Sequence, residues 1–147
     1  MNPVNPVPAE PTTWSLHPRL AEDTIGIGDL PLARALLMND ANYPWLVLVP
    51  RRPGAVEIID LDEEQQVQLM SEIALLARVL KDVIGCHKLN IAAIGNVVPQ
   101  LHVHVVARRT DDAAWPKPVW GAVPAKPYAA GDLDAFVAAL RRALAIG

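Results

Sequence analysis

Residues 99–108 read Pro-Gln-Leu-His-Val-His-Val-Val-Ala-Arg, and the alternation within them decides how the rest of the chain is read. Side chains on an extended strand point to opposite faces in turn. Gln100, His102 and His104 therefore share one side, while Leu101, Val103 and Val105 share the other. One face belongs to a core and the other carries polar groups. Two imidazoles at neighbouring positions of one face do little for stability, because each needs hydrogen-bond partners and the two repel when both are charged. A working site is the simpler explanation.

The flanking sequence supplies elements of the same kind. Short apolar runs rich in β-branched residues at Arg34–Met38, Trp45–Val49, Val56–Ile59, Leu89–Ile94 and Leu101–Ala107 predict five strands. The turn sequences Asn39-Asp40-Ala41-Asn42 and Arg52-Pro53-Gly54 join the first three as an antiparallel meander. Between the third and fourth runs, Met70, Ile73, Ala77, Leu80 and Ile84 keep helical spacing from Asp62 to Ile84, with Asp62, Glu63 and Glu64 at the start and Gly85 just past the end. A second stripe, Leu133, Phe136, Val137, Leu140 and Leu144, follows Asp132 as its cap and ends near Arg141 and Arg142. The class is α+β, with both helices expected to lie on a sheet.

Composition bounds the function. A chain of 147 residues has room for one core, so residues 14–147 are expected to form a single domain. Four prolines fall within the first eleven positions, which makes residues 1–13 an expected mobile tail. Another four, at 116, 118, 124 and 127, predict an extended segment anchored by Trp115, Trp120 and Tyr128. The formal charge of −3 is spread without long runs of one sign, which argues against a general nucleic-acid partner. No apolar stretch reaches the roughly 18 residues of a membrane span. The N-terminus has no basic stretch leading into an apolar one, and the expected location is the cytoplasm. Cys86 is the only cysteine, which excludes an internal disulfide and suits a small core residue in a reducing compartment.

Three chemistries compete for His102 and His104. They can be satisfied structural histidines. They can be two metal ligands with His17 or His87 as a third, although no carboxylate stands near them in sequence. Or one imidazole is a nucleophile and the other its polar neighbour, since a neutral imidazole near its pKa both attacks and leaves well, as two-step group transfer requires.

The strand Gln-Leu-His-Val-His-Val-Val, preceded by Gly95-Asn96-Val97-Val98-Pro99 and followed by Arg-Arg and a Trp115-Pro116 element, resembles the histidine triad (HIT) superfamily. The signature there is His-φ-His-φ-His-φ-φ, with φ hydrophobic. The likeness runs from about Leu32 to Gly121 and includes the strands at Leu36–Asp40 and Leu46–Pro50 and the long helix between them and the motif. It implies a five-stranded antiparallel sheet carrying two helices, paired in a homodimer into a ten-stranded sheet. It also implies a nucleotide substrate, cleaved at the α-phosphate without a cofactor or metal; dinucleoside polyphosphates and nucleoside phosphoramidates are typical. His102 matches the central triad position and is the expected nucleophile, forming a nucleotidyl-histidine intermediate that water resolves. His104 matches the third position and is expected to donate to the scissile phosphate or bridging atom. Asn39 or Asp40 would hold the ribose, and Gly95, Asn96 and Asn90 the phosphate region.

Departures from the pattern bear on activity. Gln100 stands at the first triad position, so the motif is Gln-x-His-x-His. A main-chain carbonyl orients the nucleophile in the family, and that acceptor survives the change while Gln100 adds an amide. Trp45 stands where many relatives have a further histidine, and Val97 replaces a frequent hydroxyl residue. Trp45 can stack on a base or anchor a strand end. These losses keep open a non-catalytic nucleotide-binding or sensing module, and the paired histidines keep open a metal-dependent hydrolase.

Overall fold

The computed structural model describes residues 13–147. The stretch expected to be mobile, residues 1–13, lies outside the described residues apart from Thr13. A short helix α1 (Pro18–Asp23) leads into strands β1 (Thr24–Asp29), β2 (Ala33–Met38) and β3 (Trp45–Pro50). Helix α2 (Glu63–Arg78) continues through a π-helical turn, Val79–Gly85, into β4 (Lys88–Ala92), β5 (Val103–Arg108) and helix α3 (Ala130–Leu144). The sheet order is β1-β2-β3-β5-β4, with every neighbouring pair antiparallel. This is the α+β arrangement the sequence predicts.

Its first strand is one the sequence reading missed. Thr24–Asp29 reads Thr-Ile-Gly-Ile-Gly-Asp, and the two glycines hide its strand character because they pack nothing. They have separate uses: the register slips between Gly26 and Gly28 in a bulge, and a Cβ on Gly28 would sit 2.9 Å from Ile146 Cδ1 at the chain's end. The meander is therefore β1-β2-β3. Residues Val56–Ile59 are not a strand: Val56, Ile58 and Ile59 are exposed and the stretch enters a short 3₁₀ turn, Ile58–Asp60. The Asp60 carboxylate accepts from the Val56 and Glu57 N–H groups, offering the backbone a local partner in place of a ladder.

Asp62 caps α2 by accepting from Gln65 N, and Gln65 returns a bond to Asp62 N, a capping box. The buried stripe is Leu69, Ile73, Leu76 and Leu80. Met70 is 64% exposed, which corrects its expected place in the stripe: one residue turns the helix by about 100°, enough to carry it from core to solvent. Glu72 is buried and accepts from Leu32 N and Ala33 N, joining α2 to the start of β2. Helix α3 starts two residues earlier than its expected cap. Ala129 holds the cap position, and Asp132 sits in the first turn, where its charge still faces the positive end of the dipole.

The helices cover one face of the sheet, where Leu37, Leu48, Val103 and Val105 meet Ile73, Leu76, Val137 and Leu140. The other face carries a smaller cluster of Leu36, Trp45, Val47 and Val106, roofed by Leu20 from α1 and by Ala114 and Val119 from the segment after β5. That second roof makes the site a lined cavity instead of an open polar face.

Candidate active site

The chain approaches β5 through Gly95, whose φ of +66° admits a turn that other residues resist. Leu101 N donates to Ala55 O at 3.0 Å, keeping the backbone extended before the ladder begins. The expected alternation holds. Leu101, Val103 and Val105 enter the main core, and His102 and His104 lie on the opposite face, each less than a tenth exposed.

Two hydrogen bonds then define the imidazoles. His102 Nδ1 lies 2.7 Å from the main-chain oxygen of Gln100. A carbonyl oxygen only accepts, so Nδ1 carries a proton and Nε2 of the neutral ring keeps its lone pair. Trp45 Nε1 lies 3.0 Å from His104 Nδ1. An indole N–H only donates, so this Nδ1 is bare and the neutral ring carries its proton on Nε2. The ring centres are 4.9 Å apart. Two adjacent histidines thus hold opposite tautomers, one offering a lone pair and the other a proton donor. Burial, together with the neighbouring His102, pushes the His104 pKa down to about 4, so it is neutral at physiological pH.

Both rings line a cavity of about 470 Å³ with Trp45, Trp120, the Gly95–Val98 turn and, from α1, Arg19, Leu20 and Asp23. A second cavity of about 610 Å³ adjoins it across Met38, Trp45, Val97 and Trp120, and reaches Asn39 and Asp40. Spaces of this size suit a nucleotide-sized ligand.

Not all the expected site residues converge. Gly95 and Asn96 share the first cavity with the histidines, and Asn39 and Asp40 line the second. Asp40 Oδ1 accepts from Asn42 N, Asn42 Nδ2 and Lys126 N, while Asn39 Oδ1 accepts from Tyr128 N. These bonds tie the end of β2 to the segment before α3. Asn90 lines neither cavity: its Oδ1 accepts from Arg108, whose buried guanidinium also pairs with Asp112 and lies over Tyr43 and Trp115. Gln100 uses both ends of its amide on the incoming chain, accepting from His17 N and donating to Ser15 O, each at 2.8 Å.

Helix α1 as a cavity wall was missed, although His17-Pro18 carried its signal: His17 Nδ1 accepts from Arg19 N as the cap, with Pro18 at the first helical position. Trp120 and the donor role of Trp45 were missed as well. Among the described residues no group of three or more His, Cys, Asp or Glu side chains is placed to hold a metal ion, so neither His17 nor His87 completes a set with the pair.

A model of the HIT domain family matches residues 20–111. The chain belongs to the histidine triad family. It is 64% identical to a histidine triad protein from Bradyrhizobium japonicum, covering 90% of this chain and 98% of that one with a TM-score of 0.88. A histidine triad protein from Sinorhizobium meliloti is 45% identical over 89% of this chain and 97% of its own, with a TM-score of 0.86. One from Marinobacter aquaeolei is 44% identical over 90% and 97%, with a TM-score of 0.88. No curated protein matches the chain. Histidine triad proteins are generally nucleotide-binding hydrolases or transferases, and among the described residues no helix is long and apolar enough to cross a membrane.

Proposed function

We propose that this histidine triad protein is a nucleotidyl hydrolase or transferase that cleaves at the α-phosphate through a covalent intermediate on His102. The observation that carries the reading is the pair of opposite tautomers in one cavity. The proton on His102 Nδ1 is held by the Gln100 carbonyl, a main-chain acceptor indifferent to the side chain at position 100. Nε2 is then the nucleophile. It forms a bond to the α-phosphorus as the bond to the leaving oxygen breaks, and the electron pair departs with that oxygen. The Nδ1–H, already hydrogen-bonded, stabilises the positive charge that spreads over the ring. His104 offers its Nε2–H to the phosphate region in both steps. Water, or an acceptor alcohol in a transferase, then attacks the phosphorus, loses its proton to solvent, and returns the lone pair to Nε2.

Gly95 and Asn96 would face the phosphate from the turn opposite. The adjoining cavity would take the nucleoside, with the ribose near Asn39 and Asp40. Asn90, committed to Arg108 outside both cavities, has no part in this reading. Replacing His102 with Ala is expected to lower nucleoside monophosphate release from dinucleoside polyphosphates by at least about 10³-fold, since the nucleophile itself is removed. Unchanged turnover in that variant would dismiss the assignment, and tight nucleotide binding with no turnover in the wild type would select a binding module.

A further inference from the structure

We propose that Trp45 is a positioning residue, which fixes His104 as a neutral imidazole presenting Nε2–H and so matches the site to leaving groups that depart as anions. The inference rests on the reading of His102 as nucleophile and narrows the substrates that reading admits.

The geometry begins in the sheet. Trp45 opens β3 and stands opposite Val106, while His104 stands opposite Val47, so the indole and imidazole are diagonal neighbours on one face. The indole N–H reaches His104 Nδ1 at 3.0 Å and the ring centres are 5.6 Å apart. Trp120 packs beside the pair, its ring centre 5.3 Å from that of His104 and 5.9 Å from that of Trp45. The three rings form one cluster, and Trp45 can bind the imidazole only while Nδ1 is bare. Protonating His104 would put a second N–H against the indole N–H, and turning to the other tautomer would do the same.

A histidine at position 45 would titrate and could pass protons to its neighbour. Tryptophan removes that possibility and replaces it with a permanent donor. The titratable groups sharing the cavity are His102 on the same strand and, from α1, Arg19 and Asp23, whose exposed side chains pair with each other. The turn from Ile94 to Val98 and the segment carrying Trp120 contribute none to the cavity. Gln100 has no proton to release, and its amide is engaged by Ser15 and His17.

The site therefore contains a hydrogen-bond donor and no charged acid beside the scissile bond. In the first step the His102 Nε2–P bond forms, the P–O bond breaks with its electron pair going to oxygen, and His104 keeps its proton while donating a hydrogen bond. Phosphate, pyrophosphate or a carboxylate leaves readily in this way. An alkylamine must take up a proton as it leaves, and a neutral His104 lends a hydrogen bond without giving up its proton, which leaves solvent as the source. The structure thus favours nucleotides joined to phosphate or acyl groups over nucleoside phosphoramidates of alkylamines.

The test combines ¹⁵N-histidine NMR with a leaving-group series. In the wild type at neutral pH, His104 is expected to show a bare Nδ1 and a protonated Nε2. In Trp45→Phe it is expected to show a tautomer mixture and to protonate at a higher pH. With one nucleoside monophosphate throughout, kcat/KM for polyphosphate and aryl ester substrates is expected to exceed that for an alkyl amidate by at least about a hundredfold, and the ratio to shrink in Trp45→Phe. A protonated Nδ1 in the wild type, or an alkyl amidate turned over as fast as the polyphosphate, would overturn the proposal. So would a Trp45→Phe spectrum identical to the wild type. The wild-type spectrum is read without any turnover and without a variant, so it stands if Trp45→Phe does not fold. It also separates failure of this inference from failure of the nucleophile assignment, which His102→Ala reports alone.

Discussion

At the scale of single residues the site depends on protonation states that backbone and indole enforce. His104 is pushed to about 4 by burial, with His102 adding to it, from an ordinary 6.5. A histidine lowered on folding binds fewer protons folded than unfolded between these values, so its neutral state adds stability that is complete above about pH 6.5 and lost as pH falls towards 4. The interval corresponds to at most about 3 kcal/mol. The gap between denaturant midpoints at pH 7 and pH 4.5 should therefore be narrower in His104→Gln, whose amide oxygen can still accept from Trp45, than in the wild type. Equal losses in both proteins would contradict the shift. The two histidines and their shared face were legible from alternation alone. The tautomer of His104 was not, because it depends on a donor 59 residues away in sequence that meets His104 only when the sheet forms.

Among the elements, the two long helices and the apolar strands β2 to β5 were readable, and the glycine-bearing β1 and the short α1 were not. Helix α2 announced itself through the helical spacing of its apolar residues and its acidic start, and β5 through its alternation. Strand β1 was hidden by Gly26 and Gly28, and Val56–Ile59 had the composition of a strand but an Asp60 carboxylate that captures its backbone. Gln100 read as a substitute for a triad histidine, yet its amide is spent on Ser15 and His17 backbone, where it anchors the segment leading to α1. No local pattern announces a contact across more than 80 residues. The buried Glu72 belongs to this scale too, because it welds α2 to β2 through the Leu32 and Ala33 N–H groups. Replacing it with Ala strands two buried donors, and the expected loss is about 3 kcal/mol. A lower denaturant midpoint at unchanged slope would show it; a loss under about 1 kcal/mol would mean the donors find other partners.

At the scale of the whole molecule, one sheet serves two layers. Helices α2 and α3 supply the main core on one face, which leaves the other free for a cavity roofed by α1 and the segment carrying Trp120. Strands β1 and β4 are the edges, and Ile91 on β4 is 50% exposed. We propose that β4 joins its counterpart in a second copy, extending the sheet to ten strands; sedimentation at micromolar concentration should then give twice the 15.9 kDa chain mass, and a monomer would contradict it.

The covalent step on His102 is the claim on which the functional account stands. Intact-mass analysis after mixing with a panel of nucleotides and quenching rapidly at alkaline pH, where a phosphorus–nitrogen bond to histidine survives, addresses it directly. A transient mass increase of one nucleotidyl group is expected, mapped to His102 and missing from His102→Ala. Turnover without any adduct, or an adduct that persists in His102→Ala, would contradict it.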